Sequence, residues 1–444
     1  MRAVLLAAGK GERLRPYFKR PKPLVSLLGR SLIERNILTL KECGIKEIIV
    51  VLGAYANEIR QSLGSGEKLG VKIKYLENPD WHLGNGVSAH TFHQECRPDE
   101  KFILMMVDHI FPLEVLKQFT AEADSLKPDE ILLAADKRLD EVHDVEECTK
   151  VKAEGNLALK LGKQLTDFNA VDCGLFMGTE ALLHSLAQAI NEGNYALTDA
   201  VNLLAAQGKV RLHFVDGFWI DVDDLASYQA CERFLLKSLV PPKDGLVSRT
   251  INRKFSLRIT KLLASTNITP NQITIGSFLI TLSAAISFAT GHPFLAGLLA
   301  QLSSIVDGVD GEIARLKFLK SNFGGILDAI LDRYGDALLV IGMTYSWYAT
   351  SQSPTALIVG AIALVGTPMS MLFKEKFQAL TGQTFVPEVH DGPTRYLPVN
   401  RDGRLLIIML GGIFNQIPAT LIFLAVITHL QTMFRLYNAW RLVA

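Results

Sequence analysis

Several things are scarce in this 444-residue sequence, and each scarcity excludes something. Net charge is +1, from 46 Lys and Arg against 45 Asp and Glu, so no overall field draws the chain to nucleic acid. The five cysteines, Cys43, Cys96, Cys148, Cys173 and Cys231, are odd in number, scattered and without a CxxC spacing, which argues against a disulfide framework or a zinc site. They read as small packed hydrophobes. Neither a Walker loop, GxxxxGK followed by Ser or Thr, nor GxGxxG is present. The opening stretch MRAVLLAAGKGERLRP reaches glycines and charges after a short apolar run, so it reads as a buried strand and loop, not a signal peptide. Long apolar runs are missing up to about residue 270 and dominate afterwards. The length favours two domains.

Up to about residue 230 strand-like and helix-like stretches alternate. Arg2–Ala7, Glu47–Leu52, Val71–Leu76, Lys101–Val107, Ile131–Ala135 and Gly174–Met177 read as strands, and Leu32–Cys43 as a helix ended by Gly44. This pattern predicts a mostly parallel sheet with helices on both faces, whose ligands bind at the carboxyl ends of the strands. Two loops fall there. In Leu6-Ala-Ala-Gly-Lys-Gly-Glu-Arg-Leu-Arg-Pro16, small residues let backbone N–H groups approach a phosphate or base, and Arg13 and Arg15 add positive charge. In Arg20-Pro-Lys-Pro-Leu-Val25 two prolines stiffen the chain so that Lys22 can be aimed.

Together, LAAGKGERLRPYFKRPKPLV resembles the nucleotidyltransferases that activate sugar phosphates, whose signature is LAAGxGxRLxP followed by PKPL. The resemblance implies an α/β Rossmann-like domain in which Ala7, Ala8 and Gly9 contact the nucleotide while Arg13 and Lys22 hold the triphosphate. It implies that Leu83-Gly84-Asn85-Gly-Val-Ser88 reads the base and ribose, and that Val171-Asp-Cys-Gly-Leu-Phe176 holds the sugar. Asp108 matches the metal aspartate, although the glycine that usually precedes it is Val107 here. In isolation Asp108 would read as a helix cap before Phe111; beside the glycine loop and Lys22 it reads as a ligand. His109 reads as a polar neighbour. Trp219-Ile-Asp-Val-Asp-Asp224 offers two carboxylates, Asp221 and Asp223, for a second ligand, with Asp223 slightly preferred. Phosphate attack on an α-phosphate needs charge neutralisation and alignment, which Lys, Arg and Mg²⁺ supply.

Val240-Pro-Pro-Lys-Asp-Gly-Leu246 reads as a linker. Leu246–Leu263, with Arg249, Arg253, Lys254, Arg258 and Lys261 among apolar residues, reads as a basic amphipathic helix on a membrane surface. Six spans are expected, at 271–290, 293–315, 325–349, 354–373, 404–415 and 417–439. The loops near 291, 351 and 415 carry no Lys or Arg. The alternate ones carry Lys317 and Lys320, or Lys374, Lys376, Arg395, Arg401 and Arg404, and the tail carries Arg435 and Arg441. The positive-inside rule then puts the soluble domain, these loops and both active sites on the cytoplasmic side of the cell membrane. The domains expected are 1–235 (nucleotidyltransferase), 236–267 (linker and interfacial helix) and 268–444 (membrane domain).

Between the second and third spans stand Asp307, Asp310, Asp328 and Asp332. Acids in membrane helices are costly and usually functional. Three- and four-residue spacings put each pair on one helix face. Four carboxylates brought together need a cation, and hard oxygen donors suit Mg²⁺, with Mn²⁺ as an alternative. Helix capping, or ion pairing with Arg315 and Arg333, is the structural alternative. The stretch resembles the CDP-alcohol phosphatidyltransferases, matching every fixed position of DxxDGxxARx8GxxxDxxxD. The resemblance implies that Asp307, Asp310 and Asp328 ligate metals holding the CDP pyrophosphate. Asp332 would be the general base and also a ligand. Gly311, Ala314 and Gly324 would make room for the cytidine nucleotide, with Arg315 beside them. Lys374, Arg401 and Arg404 would either hold a phosphate on the acceptor or serve as positive-inside anchors.

The two halves joined resemble the bifunctional enzymes of di-myo-inositol phosphate synthesis. That implies CTP, inositol-1-phosphate and CDP-inositol as partners, a lipid bilayer around the second half, no nucleic acid, a homodimer through the membrane domain, and a product that is a precursor of a heat-stress osmolyte. Fusion points to channelling of the CDP compound. A phospholipid-making fusion with a lipid CDP donor is the alternative within this class. A non-catalytic membrane tether is disfavoured by the intact Lys22, Asp108 and four membrane aspartates. A transporter is disfavoured by acids gathered at one interface instead of the midplane.

Overall fold

The computed structural model of the chain describes residues 1–241, 244–386, 390–391 and 400–443. Arg395 of the expected cytoplasmic loop lies outside them, as do Pro242 and Lys243 of the expected linker. Two compact units form, Met1–Phe234 and Leu235–Ala444.

Unit 1 is built on a nine-stranded sheet. Its strands are β1 (Arg2–Ala7), β2 (Glu47–Leu52), β3 (Lys72–Glu77), β4 (Phe102–Met106), β5 (Ile131–Asp136), β6 (Lys150–Glu154), β7 (Leu157–Gly162), β8 (Ala170–Gly178) and β9 (Val210–Phe214), in the order β3-β2-β1-β4-β8-β5-β9-β7-β6. The β3-β2-β1-β4 side is parallel, with Ala3 opposite both Ile48 and Ile103. The expected parallel character stops at β8, which runs antiparallel to both β4 and β5. Strands β6 and β7 also pair antiparallel: a two-residue turn at Gly155-Asn156 joins them, and a turn that short permits no other pairing.

The helices of unit 1 are α1 (Leu32–Glu42), α2 (Ala56–Leu63), α3 (Asn85–His90), α4 (Leu113–Ala121), α5 (Glu180–Asn191) and α6 (Leu197–Ala205). Helix α1 starts where Ser31 and Glu34 form a capping box, and Gly44 follows its end at φ +86°, the left-handed stop that glycine adopts readily. The runs LLA, IIVVL and FILMM of β1, β2 and β4 are buried. One core joins Val4, Val51, Leu104, Leu133 and Phe176 to Leu182, Leu186 and Leu204 of α5 and α6. The first four parallel strands therefore end along one edge, where β1 releases the glycine loop and β4 releases Asp108.

Helix α7 (Leu225–Ser238) leads out of unit 1. Unit 2 is helical: α8 (Arg253–Ala264), α9 (Pro270–Ala289), α10 (Pro293–Leu316), α11 (Asn322–Ser351), α12 (Pro354–Thr381), α13 (Arg401–Ile413) and α14 (Ile417–Val443). Thr269 caps α9 with a Thr269/Gln272 capping box and Pro270 in the first turn, the preferred start. Small residues let the helices close: a methyl on Gly342 would come within 2.4 Å of the Ala285 carbonyl, and one on Gly297 within 2.7 Å of the Met409 carbonyl. Among the described residues three helices, Pro270–Ala289, Pro354–Thr381 and Ile417–Arg441, are long and apolar enough to cross a membrane. Helices α10 and α11 carry the acids, and α13 has 13 residues. Leu279, Ile286, Ile341, Ile358, Val426 and Leu430 are exposed, an apolar exterior suited to lipid.

Candidate active sites

In unit 1, Gly11 takes φ +58° and its Cα lies against Lys22, so that a methyl there would sit 2.4 Å from the Lys22 Cβ. The bare Cα thus lets the glycine loop lie on the lysine stem, and Pro21 and Pro23 flank Lys22 in a tight turn. The Lys22 ammonium contacts Asp108 Oδ2 at 2.6 Å, the Asp223 carboxylate, and Asp221 Oδ1 at 3.6 Å. Burial works against its charge, but the three carboxylates outweigh it and hold the ammonium above the ordinary lysine range. Burial likewise raises Asp108, yet Lys22 and His109 hold this carboxyl well below the usual range. Arg13 reaches Asp223 Oδ2 at 3.0 Å.

Asp221 and Asp223 separate by environment. Asp223 is occupied by Lys22 and Arg13. Asp221 joins Asp108 and His109 in a group whose ligand atoms all lie within 4.8 Å of one another, and its buried Oδ1 has no hydrogen-bond partner. A buried carboxylate oxygen that makes no hydrogen bond but a longer ion pair with Lys22, and that faces two other ligand atoms, fits a cation. His109 does more than sit nearby. Its Nδ1 is 2.9 Å from Asp108 Oδ1, its ring stacks on Trp219, and the bare Cα of Gly174 leaves it room. Burial lowers its pKa, but Asp221 and Asp108 outweigh this and raise it to about 9.

A cavity of about 410 Å³ opens beside this group, lined by Ala8, Gly9, Arg13, Gly84, Asn85 and Ser88 from the expected nucleotide loops and by Asp172 and Gly174 from the expected sugar strand. Burial pushes the Asp172 carboxyl up to about 6. Ala7 borders a neighbouring hollow with Lys22 and Asp108. Two polar groups expected to read the nucleotide are already engaged: Asn85 Oδ1 accepts from the Leu197 backbone at 2.9 Å, and the Ser88 hydroxyl accepts from Asn78 at 2.9 Å. Their first task is to fix the loop. Gly86 also donates to the Tyr195 carbonyl. Trp81, which sequence reasoning missed, lines both hollows.

In unit 2, α10 and α11 bring three of the four aspartates together. Ligand atoms of Asp307, Asp328 and Asp332 lie within 4.8 Å of one another, and Asp328 Oδ1 is buried with no partner. That donor set of hard oxygens fits a divalent cation. Asp310 is turned to the Thr274 hydroxyl and the Gly311 amide. Arg401 Nη1 bridges Asp307 Oδ2 at 2.7 Å and Asp332 Oδ1 at 2.9 Å. Neither Arg315 nor Arg333 is the main partner: Arg333 lies 3.8 Å from Asp332 and 3.2 Å from Asp336. Asp336, one helical turn beyond Asp332, pairs with Arg404 at 2.6 Å. It was missed although it continues the spacing of Asp328 and Asp332.

A cavity of about 300 Å³ lies alongside, lined by Asp310, Gly311, Ala314, Arg315, Gly324 and Asp328. These are the residues expected around the nucleotide. The Arg315 guanidinium lies over Gly311, and its buried Nε and Nη2 make no hydrogen bond, as donors awaiting an anion would.

Residues 3–204 match the model of the MobA-like NTP transferase domain, and residues 267–431 that of the CDP-alcohol phosphatidyltransferases. The bifunctional IPC transferase and DIPP synthase of Thermococcus kodakarensis is 34% identical over 98% of this chain and 96% of its own. That of Rubrobacter xylanophilus is 33% identical over 98% and 95%. A solved structure, the inositol-1-phosphate CTP transferase from T. maritima, aligns with 51% of this chain and 93% of its own at 25% identity, with a TM-score of 0.45. Unit 1 is accordingly a Rossmann-like nucleotidyltransferase domain and unit 2 a helical CDP-alcohol phosphotransferase domain. With relatives of this identity matched from end to end, the chain belongs to the family of bifunctional IPC transferases and DIPP synthases.

Proposed function

We propose that the chain makes CDP-inositol and pyrophosphate from CTP and inositol-1-phosphate. It then joins CDP-inositol to a second inositol-1-phosphate, giving di-myo-inositol phosphate phosphate and CMP. The observation that carries this is the presence of both acid-and-cation sites in one chain whose relatives of that name match it throughout.

In the first reaction a phosphate oxygen of inositol-1-phosphate attacks the α-phosphorus of CTP and pyrophosphate leaves. Lys22 and Arg13 neutralise the triphosphate, the glycine loop from Ala7 to Gly11 admits it, and Asp172 and Gly174 face the inositol. In the second, Asp332 takes the proton of the acceptor hydroxyl, the oxygen attacks the β-phosphorus, and CMP departs toward Arg315 and Gly311. Cations held by Asp108 and Asp221, and by Asp307, Asp310, Asp328 and Asp332, would offset phosphate charge and align the attacking and leaving oxygens. Mg²⁺ is the expected ion, with Mn²⁺ as an alternative.

The functional division proposed is 1–235, 236–267 and 268–444, with six helices crossing the cell membrane and both sites on the cytoplasmic side. The loop charge asymmetry supports it.

The test is phosphorus NMR of the purified protein in detergent with CTP, inositol-1-phosphate and Mg²⁺. Pyrophosphate, CMP and a phosphodiester bearing a second phosphate are expected. A CDP compound that accumulates without CMP would retain the first reaction and send the second to another acceptor, such as a lipid alcohol.

A further inference from the structure

Glu312 lies inside the aspartate motif, yet the motif assigns it nothing, and it is completely buried. Two residues beyond Asp310 and five beyond Asp307, it points to the side of α10 away from the acids. There it meets α8. Asn252, Ser256 and Thr260 recur every fourth residue and are all buried, a polar stripe on a helix otherwise rich in Leu, Ile, Lys and Arg. The Glu312 carboxylate accepts hydrogen bonds from Ser256 Oγ at 2.6 Å, from Thr260 Oγ1 and from the Arg253 guanidinium. Arg253 also donates to the Gly308 carbonyl at 3.1 Å and to Asp244 Oδ2 at 2.7 Å. It lies over the bare Cα of Gly308, where a methyl would come within 2.9 Å of Nη1. The side chain of α8 thus grips α10 at Gly308 and Glu312, on either side of Asp310.

Packing alone does not require a buried ion pair here. Val309 and Ile313 of α10 already form an apolar cluster with Ile273, Ile259 and Leu263. Apolar contacts tolerate rotation of one helix against another, whereas directional bonds from three donors to one carboxylate do not, and fixing register is the best-attested use of buried polar groups.

We propose that Glu312 and Arg253 are a positioning pair for phosphotransfer, locking the rotation of α10 so that Asp307 and Asp310 face the cation. The proposal rests on the reading of those two aspartates as cation ligands. Its test is a Mn²⁺ titration of the full-length protein in detergent, following the EPR signal of the free ion. Asp108→Asn and Asp221→Asn are present throughout, to silence unit 1. Glu312→Gln is expected to weaken Mn²⁺ binding about tenfold, the usual scale for losing a partner behind a metal ligand. Thr260→Val, which removes one donor and keeps the shape, is expected to shift affinity in the same direction by less, and it decides the matter if Glu312→Gln does not fold. Unchanged affinity in both overturns the pair. Unchanged affinity in Asp307→Asn overturns the ligand reading instead, so the two failures are told apart.

Discussion

At the scale of single residues, spacing carried most of the information. Two residues three apart and two four apart identified α10 and α11 as the carriers of one acid site, because helical geometry alone puts such pairs on one face. What spacing does not carry is the partner on a third helix. Arg401 could be read as an anchor or a phosphate binder, but its bridge between Asp307 and Asp332 depends on how α13 packs, and no local pattern encodes that. The same limit applied to Asp221 and Asp223, two residues apart, of which the sequence slightly preferred Asp223. The fold gives Asp223 to Lys22 and Arg13, and groups Asp221 with Asp108. Asp221→Asn is therefore expected to raise the Mg²⁺ requirement of nucleotidyl transfer more than Asp223→Asn, measured as the half-saturating Mg²⁺ for pyrophosphate release; the reverse order would restore Asp223 as the second ligand. Replacing the proposed base, Asp332→Asn, should slow CMP release by about 10²–10⁴, the range for general-base catalysis, and leave pyrophosphate release unchanged. Lys22→Ala should do the opposite when CDP-inositol is supplied for the second reaction. A folded Asp332 variant that loses both activities would contradict separate sites.

At the scale of elements, legibility followed burial. The fully buried strands β1, β2, β4 and β5 announce themselves as uninterrupted apolar runs. Strands β6 and β7 did not, because one face is wet and their apolar residues are few. Yet Gly155-Asn156 between alternating residues is a hairpin signal, and it would have exposed the antiparallel β6–β7 pair. The three helices long and apolar enough to cross a membrane, α9, α12 and α14, were readable by length and apolarity, and the caps at Thr269, Ser321 and Asn400 show where α9, α11 and α13 begin. The glycine loop was readable as a phosphate loop, but the need for Gly11 itself emerges only from its contact with Lys22. Gly11→Ala should impose about 1–2 kcal/mol of left-handed strain as well as the clash with Lys22. Nucleotidyl transfer is expected to fall at least about tenfold, as 1.4 kcal/mol corresponds to a factor of ten, while phosphotransfer from supplied CDP-inositol stays intact. Equal activity of the variant in both assays would show that the loop does not bear on Lys22.

At the scale of the whole molecule, the two proposed sites draw on separate units, Met1–Phe234 and Leu235–Ala444, so the reactions should be separable between chains. A Lys22→Ala chain is expected to lose the first activity and an Asp332→Asn chain the second. Their mixture still contains one working copy of each, with CDP-inositol free to pass between them. Released CMP should therefore reappear when CTP and inositol-1-phosphate are given to the mixture. The kinetics carry the information about fusion. Channelling means that CDP-inositol passes to the second site before it mixes with the bulk solution, so a channelling wild-type chain should show little lag between pyrophosphate and CMP, unchanged on dilution. The mixture must first fill the solution with CDP-inositol, so its lag should lengthen as the protein is diluted. If the wild type and the mixture show the same dilution-dependent lag, the covalent link gives no kinetic advantage. The reason for joining the units would then lie in placing the first reaction at the membrane and not in transfer between sites.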